Sequence, residues 1–194
     1  MDMMDCQDLP SLQAVICMVL FLQTSAKLSV CYVYIGTALH SAVRMGLHRS
    51  IPRKFNPIES EIRKRVFWQV WRMNVFVSAM LGAPVMLNEE DIDQEMPLDV
   101  DDDYILIDRI LPMPPDKTPL MAANNAHTKL TRILSKIVKY IYPIKGVSLG
   151  PNTNKSFVVS HARIREIERD LQQWMENLPM GLRPGGESSP ELTR

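Results

Sequence analysis

The sequence predicts an all-α protein, an irregular multi-helix bundle with an acidic extended segment packed on it. Three observations lead there. Five stretches repeat apolar residues at three- and four-residue spacing, which gathers them on one side of a helix. Residues that start or stop helices bound these stretches, among them Pro10, Gly46, Asn56-Pro57, Gly82-Ala83-Pro84 and Pro143. No run alternates apolar and polar residues between turns, as a half-buried strand would.

The first helix is expected from Pro10 to Ala26, with Pro10 in the first turn, where a missing N–H costs nothing. Leu12 to Leu22 is apolar on nearly every face, so this helix should be buried on several sides, with Cys17 as a small core residue. A buried strand is the alternative, but the run is long for one. The second helix, Leu28 to Met45, carries Leu28, Tyr32, Ile35, Leu39 and Ala42/Val43 on one side. Gly46 followed by Leu47 is the pattern of a Schellman stop, with the glycine at positive φ and the leucine folded back on the last turn.

A basic linker, His48 to Phe55, leads into Asn56-Pro57-Ile58-Glu59. Asn56 can cap, Pro57 fits the first helical position, and Glu59 is placed to complete a capping box. The third helix buries Ile62, Val66, Val70, Met73 and Val77, widened by Phe67, Trp68 and Trp71, and carries Arg63, Lys64 and Arg65 on its other faces. Residues 85–103 are acidic and poorly periodic and read as an extended segment anchored by Ile92, Met96 and Leu98. Its Glu89–Asp93 portion should fold back along the basic face of the third helix, bringing Asp93 to Arg65. Prolines keep the chain irregular to Leu120, where a fourth helix runs to Tyr142. A loop at Gly146–Asn154 precedes a fifth helix, Phe157–Asn177, with Ile164, Ile167, Leu171, Trp174 and Leu178 on one side.

Composition narrows the function. The 194 residues are 46% hydrophobic and 23% charged, as in a folded globular chain, and suit one domain or part of a larger one. Twenty-two basic residues balance 22 acidic ones, which argues against a dedicated nucleic-acid-binding domain. Three cysteines, at 6, 17 and 31, fit neither a disulfide framework nor a zinc spacing, and suggest a reducing compartment. The apolar run Ala14–Leu22 is too short for a bilayer span, and Asp2, Asp5 and Asp8 stand where a signal peptide needs positive charge.

Catalytic patterns do not appear. The histidines at 40, 48, 127 and 161 form no ligand pair, and His40 and His48 read as solvated or linker residues. Phosphate-binding glycine loops and a GxSxG elbow are missing. The acidic run lacks the central glycine of a calcium loop and reads as solvated or ion-paired. Met18, Met45, Met73, Met80 and Met86 read as fillers of an irregular core.

One ordered set of motifs says more. Tyr34-Ile35-Gly36-Thr37-Ala38 is followed by Ala42-Val43-Arg44-Met45-Gly46-Leu47-His48-Arg49, by Glu61-Ile62-Arg63-Lys64-Arg65-Val66-Phe67-Trp68, by Gly82-Ala83-Pro84, and by Asp91-Ile92-Asp93 with Pro97. Leu171, Trp174, Leu178 and Pro179 close the series. This order resembles the "middle homology" regulatory domain of fungal zinc-cluster (Zn2Cys6) transcription factors, nearest the xylanolytic-activator type, over about residues 10–178. The chain departs from the usual pattern at Tyr32, Lys64, Asn74 and Ala83.

The resemblance implies a non-catalytic regulatory domain acting in the nucleus on transcription by RNA polymerase II, while composition marks residues 1–9 as a disordered start and 179–194 as a disordered tail. The motif residues it marks are Gly36, Gly46, Leu47, His48, Arg49, Arg63, Arg65, Trp68, Gly82, Pro84, Asp91, Asp93 and Pro97. In these terms Gly36 permits helix contact, Trp68 and Trp71 anchor the core, and Arg49, Arg63 and Arg65 pair with the acidic segment. The family's zinc belongs to an N-terminal six-cysteine cluster, so no cofactor is expected in this chain, which reads as a fragment, a truncated gene model or a paralogue without its DNA-binding half. The expected partners are a small-molecule effector or a regulatory protein, DNA only through the missing cluster, and a second copy in a homodimer. The alternative is a small-molecule-binding helical sensor without DNA-binding activity.

Overall fold

A computed structural model describes residues 8–50, 55–114, 117–141 and 160–183. Residues 1–7 of the expected disordered start, the loop at 146–154, the first residues of the fifth helix and most of the tail lie outside the described residues, whereas Asp8 and Leu9 belong to the start of the first helix. The regular structure of the described residues is helical, and the one β feature among them is an isolated antiparallel bridge between Ile105 and Ile110. The chain divides into two compact units, Met1–Thr128 and Lys129–Arg194.

In the first unit α1 (Leu9–Thr24), α2 (Leu28–Arg44) and α3 (Pro57–Leu81) pack on one another. Asp8 caps α1 by accepting the Ser11 N–H at 2.8 Å. Asn56 caps α3 by accepting the Glu59 N–H at 2.8 Å, and Pro57 opens the helix. The Glu59 carboxylate faces Arg63 at 3.7 Å instead of closing a reciprocal capping box. Both glycine stops form as expected, with φ of 69° at Gly46 and 64° at Gly82. Leu47 N–H donates to Ala42 O at 2.9 Å and Gly46 N–H to Val43 O at 2.9 Å, the two bonds of a Schellman motif.

The core is centred on α3. Phe67, Trp68 and Trp71 are fully buried, with successive edge-to-face rings at 5.3 and 5.5 Å. Val66, Val70, Met73, Val75 and Val77 join Leu12, Val15 and Val19 of α1 and Ile35, Leu39 and Ala42 of α2 in the buried set.

Several expectations are corrected. The first helix is buried on one side only, because α2 and α3 pack against that side; Phe21 is 68% exposed. Cys17 lies on its outer side and is exposed, while Cys31 of α2 is the buried cysteine, its thiol facing Val19 O at 3.8 Å. Met73 is a core residue, whereas Met80 and Met86 are exposed. Gly36 does not admit a helix: the nearest atoms to its open side belong to Met86, at ordinary contact distance for an added Cβ.

The second unit contains most of α4 (Leu120–Ile141) and α5 (His161–Glu176). Lys136 bonds Asp170 at 2.6 Å, and the Arg163 guanidinium lies 4.8 Å from the Tyr140 ring centre. Ile133, Ile167 and Leu178 are buried, but Leu171 is 37% exposed, so the expected α5 stripe is covered only in part. Met180–Leu182 forms a short 3-10 turn after Pro179.

Candidate functional site

The corner that ends α2 leaves three carbonyls, of Met45, Leu47 and His48, without helical partners. Arg63 of α3 donates to Met45 O at 3.1 Å, with its guanidinium 4.2 Å from the Phe55 ring centre. Gln94 Nε2 donates to Leu47 O at 2.7 Å, and the Asp93 and Gln94 N–H groups both donate to His48 O, at 3.2 and 3.1 Å. Asp93 closes the junction, accepting the Ser50 N–H at 2.9 Å and facing Arg49 Nε at 3.2 Å. The acidic segment is thus zipped to the corner by hydrogen bonds that each use a backbone atom on at least one side.

From there the chain runs along α3. Trp68 Nε1 donates to Glu95 O at 2.8 Å. Lys64 faces Glu95 at 2.9 Å and Glu61 at 3.3 Å. Glu61 is 3% exposed, and its other oxygen accepts the Leu98 N–H at 2.9 Å. Arg65 donates to Asp102 and to Val100 O. From α4, Asn125 Nδ2 donates to Pro97 O and Asp99 Oδ1, each at 2.7 Å. Asp101 accepts the Leu120 N–H at 2.9 Å and faces Lys117 at 3.0 Å. Residues 93–102 therefore form a strap across the basic face of α3.

The electrostatics follow this geometry. Burial works against the charge on Lys64, but Glu95 and Glu61 outweigh it and raise its pKa. Burial likewise pushes Asp101 up, and the Leu120 N–H, Lys117 and Arg65 together hold it below the usual carboxylate value. Burial and then Arg49 depress His48, against the smaller opposing pull of Asp93 and Asp91.

The structure gathers Gly46, Leu47, His48, Arg49, Arg63, Arg65, Trp68, Asp93 and Pro97 along the corner and strap. Three details differ from expectation. Glu89–Asp91 forms a 3-10 turn, and the fold-back contact is made by residues 93–102, so Arg65 meets Asp102 and Asp93 meets Arg49. Arg63 also reaches a partner the sequence did not point to, the corner carbonyl of Met45, besides Glu59 one turn earlier on α3. Leu98 is exposed and Pro97 is the buried anchor: the inward alternation of residues 92, 94 and 96 breaks at Pro97, where Asn125 of α4 binds the backbone oxygen.

Gly82 and Pro84 lie at the other end of α3, where Pro84 O accepts the hydroxyls of Ser78 and Tyr32, each at 3.2 Å. His48 is half-buried rather than solvated. Glu61 and Asn125 were missed by sequence reasoning. At Leu98 and Pro97 they hold the strap through backbone atoms, which leave no side-chain signal.

Among the described residues no group of three or more histidine, cysteine or acidic side chains could hold a metal ion, and no helix is long and apolar enough to cross a membrane. The arrangement is a docked segment on a rigid helix.

Residues 2–176 match the model of the family described as "Fungal specific transcription factor domain". The chain is 38% identical to "Activator of stress genes 1" of Saccharomyces cerevisiae, over 100% of this chain and 20% of the relative. It is 38% identical to "Activator of stress genes protein 1" of Candida albicans, over 97% and 20%. Identity to "Transcriptional activator protein acu-15" of Neurospora crassa is 30%, over 89% and 18%. The chain spans about one fifth of the length of these relatives. No solved structure matches it.

Proposed function

Because the chain belongs to the fungal specific transcription factor domain family, we propose that it serves as a non-catalytic regulatory domain of a transcriptional regulator in the nucleus, with the strap at 93–102 as its adjustable part. The observation that supports this reading is the way the strap is held. Hydrogen bonds at the α2 corner fix one end, bonds with Trp68, Glu61 and Asn125 hold its middle, and solvent-facing ion pairs at Glu95 and Asp102 add to these, the latter at the far end. Exposed ion pairs are weak and salt-sensitive, so a small input can release the far end of such a segment without unfolding the core.

DNA recognition is not assigned to this chain. Its net charge is zero, and three cysteines cannot form a six-cysteine cluster. The partners this reading calls for are a small-molecule effector or a regulatory protein, with a second copy of the chain as a further candidate.

Fusion to a heterologous DNA-binding module, with a reporter in yeast, tests the reading. The fused chain should change reporter output, and Lys64→Glu with Arg65→Glu should alter that output while the isolated chain shifts no promoter DNA at physiological salt. Reporter output equal to the module alone for wild type and variant would remove the proposal.

A further inference from the structure

We propose that Arg72 is the receptor for a small monocarboxylate anion, bound side-on at its Nε–Nη2 edge where the amide oxygen of Gln69 now sits. This deepens the effector reading above and rests on it for biological meaning, though the binding itself is tested on this chain alone.

Among the described residues Arg72 is the one cationic side chain in the buried set, at 7% exposure. A guanidinium has five N–H donors. Nη1 donates to Asn124 O at 3.1 Å and faces His127 Nδ1 at 3.4 Å, and Nη2 donates to Gln69 Oε1. Nε is buried with no acceptor. Every one of these neighbours is uncharged or, in the case of His127, held toward its neutral form by burial and by Arg72 itself. The other basic residues of α3 show the contrast: Lys64 meets Glu61 and Glu95, Arg65 meets Asp102, and Arg63 meets Glu59.

An unpaired buried charge is costly, and burial lowers the Arg72 pKa without bringing an arginine near neutrality. The donors also have a shape. Nε–H and one N–H of Nη2 point the same way and form one bidentate edge, matched by the two oxygens of a carboxylate. Gln69 supplies a single amide oxygen to that edge and leaves Nε unmet. Gln69 is half-buried and His127 exposed, so a turn of the Gln69 side chain opens the edge while the Nη1 bond to Asn124 is kept. One guanidinium balances one negative charge, which favours a monocarboxylate over a phosphate dianion.

The test uses the 194-residue chain in sodium acetate against sodium chloride at equal ionic strength. Acetate should raise the melting temperature and shift the Arg72 Nε–H resonance saturably. Gln69→Glu should fill the edge from within: its melting temperature in chloride rises and its response to acetate disappears. Arg72→Met should lose the acetate response. If Arg72→Met does not fold, the resonance titration and Gln69→Glu still decide the matter.

Equal melting in the two salts, with no saturable shift, overturns the proposal, as does a lowered melting temperature in Gln69→Glu. Phosphate shifting the resonance more strongly than acetate overturns the carboxylate assignment. A short glutamate-bearing peptide binding about tenfold or more tighter than acetate would reassign the edge to a protein carboxylate and overturn a free ligand. Any of these failures leaves the reporter test of the regulatory reading untouched.

Discussion

The indole N–H of Trp68 donates to the backbone oxygen of Glu95 at 2.8 Å, which joins a fully buried ring of α3 to an exposed residue of the strap. Trp68→Phe keeps most of the ring packing and removes the donor. It should destabilise the protein by about 1–3 kcal/mol, the usual cost of leaving a buried polar group unpaired. Limited proteolysis should cut residues 93–103 faster in this variant than in wild type.

Gly46→Val should lower the melting temperature measured by circular dichroism. A β-branched residue at φ 69° is strained, and the cost should be about 1–3 kcal/mol. Gly46→Asn should lose less, since asparagine tolerates the left-handed region better.

Arg65→Glu and Asp102→Arg should each increase protease cutting in the strap, and the double exchange should restore part of the protection. Pairing Arg65→Glu with Asp93→Arg should restore none of it, because Asp93 faces Arg49 and Ser50. Raised salt should narrow the differences between these variants.

Asn125 donates both of its bonds through Nδ2, to a carbonyl and a carboxylate. Asn125→Asp places a second acceptor against these oxygens. It should be more destabilising in urea melts than Asn125→Ala, which only leaves its acceptors unpaired, at about 1–3 kcal/mol.

Stability should fall in two stages with acid. His48 and His127 both have folded pKa values below their ordinary 6.5, each first through burial and then through a neighbouring arginine, Arg49 or Arg72. The unfolded chain therefore takes up protons first. Their contribution is intact above pH 6.5 and declines as the pH falls, until the folded rings protonate as well. Asp101 is also depressed, from 3.8, so its contribution is present above that value and is lost as the pH drops through the lower folded pKa. Melting temperatures across this range should show both declines, and His127→Gln should flatten the first.

The amino-acid sequence determined the elements whose causes are local. Asn56 and Pro57 start α3, and Gly46 and Gly82 stop helices, because capping and positive φ depend on a few neighbouring residues. The ordered motifs from Gly36 to Pro97 were enough to indicate the family that residues 2–176 match. Periodicity likewise placed Trp68 and Trp71 in the core, although it could not say that Cys31 rather than Cys17 would be buried. The first helix is apolar all round, so its outward side depends on which neighbours pack against it. Only the tertiary structure decided the register of the acidic segment. Charge attraction acts over distance and does not distinguish Asp93 from Asp102. The directional hydrogen bonds from residues 93–94 to His48 O, from Trp68 to Glu95 O and from Asn125 to Pro97 O do distinguish them, and these set Asp93 beside Arg49 and Asp102 beside Arg65.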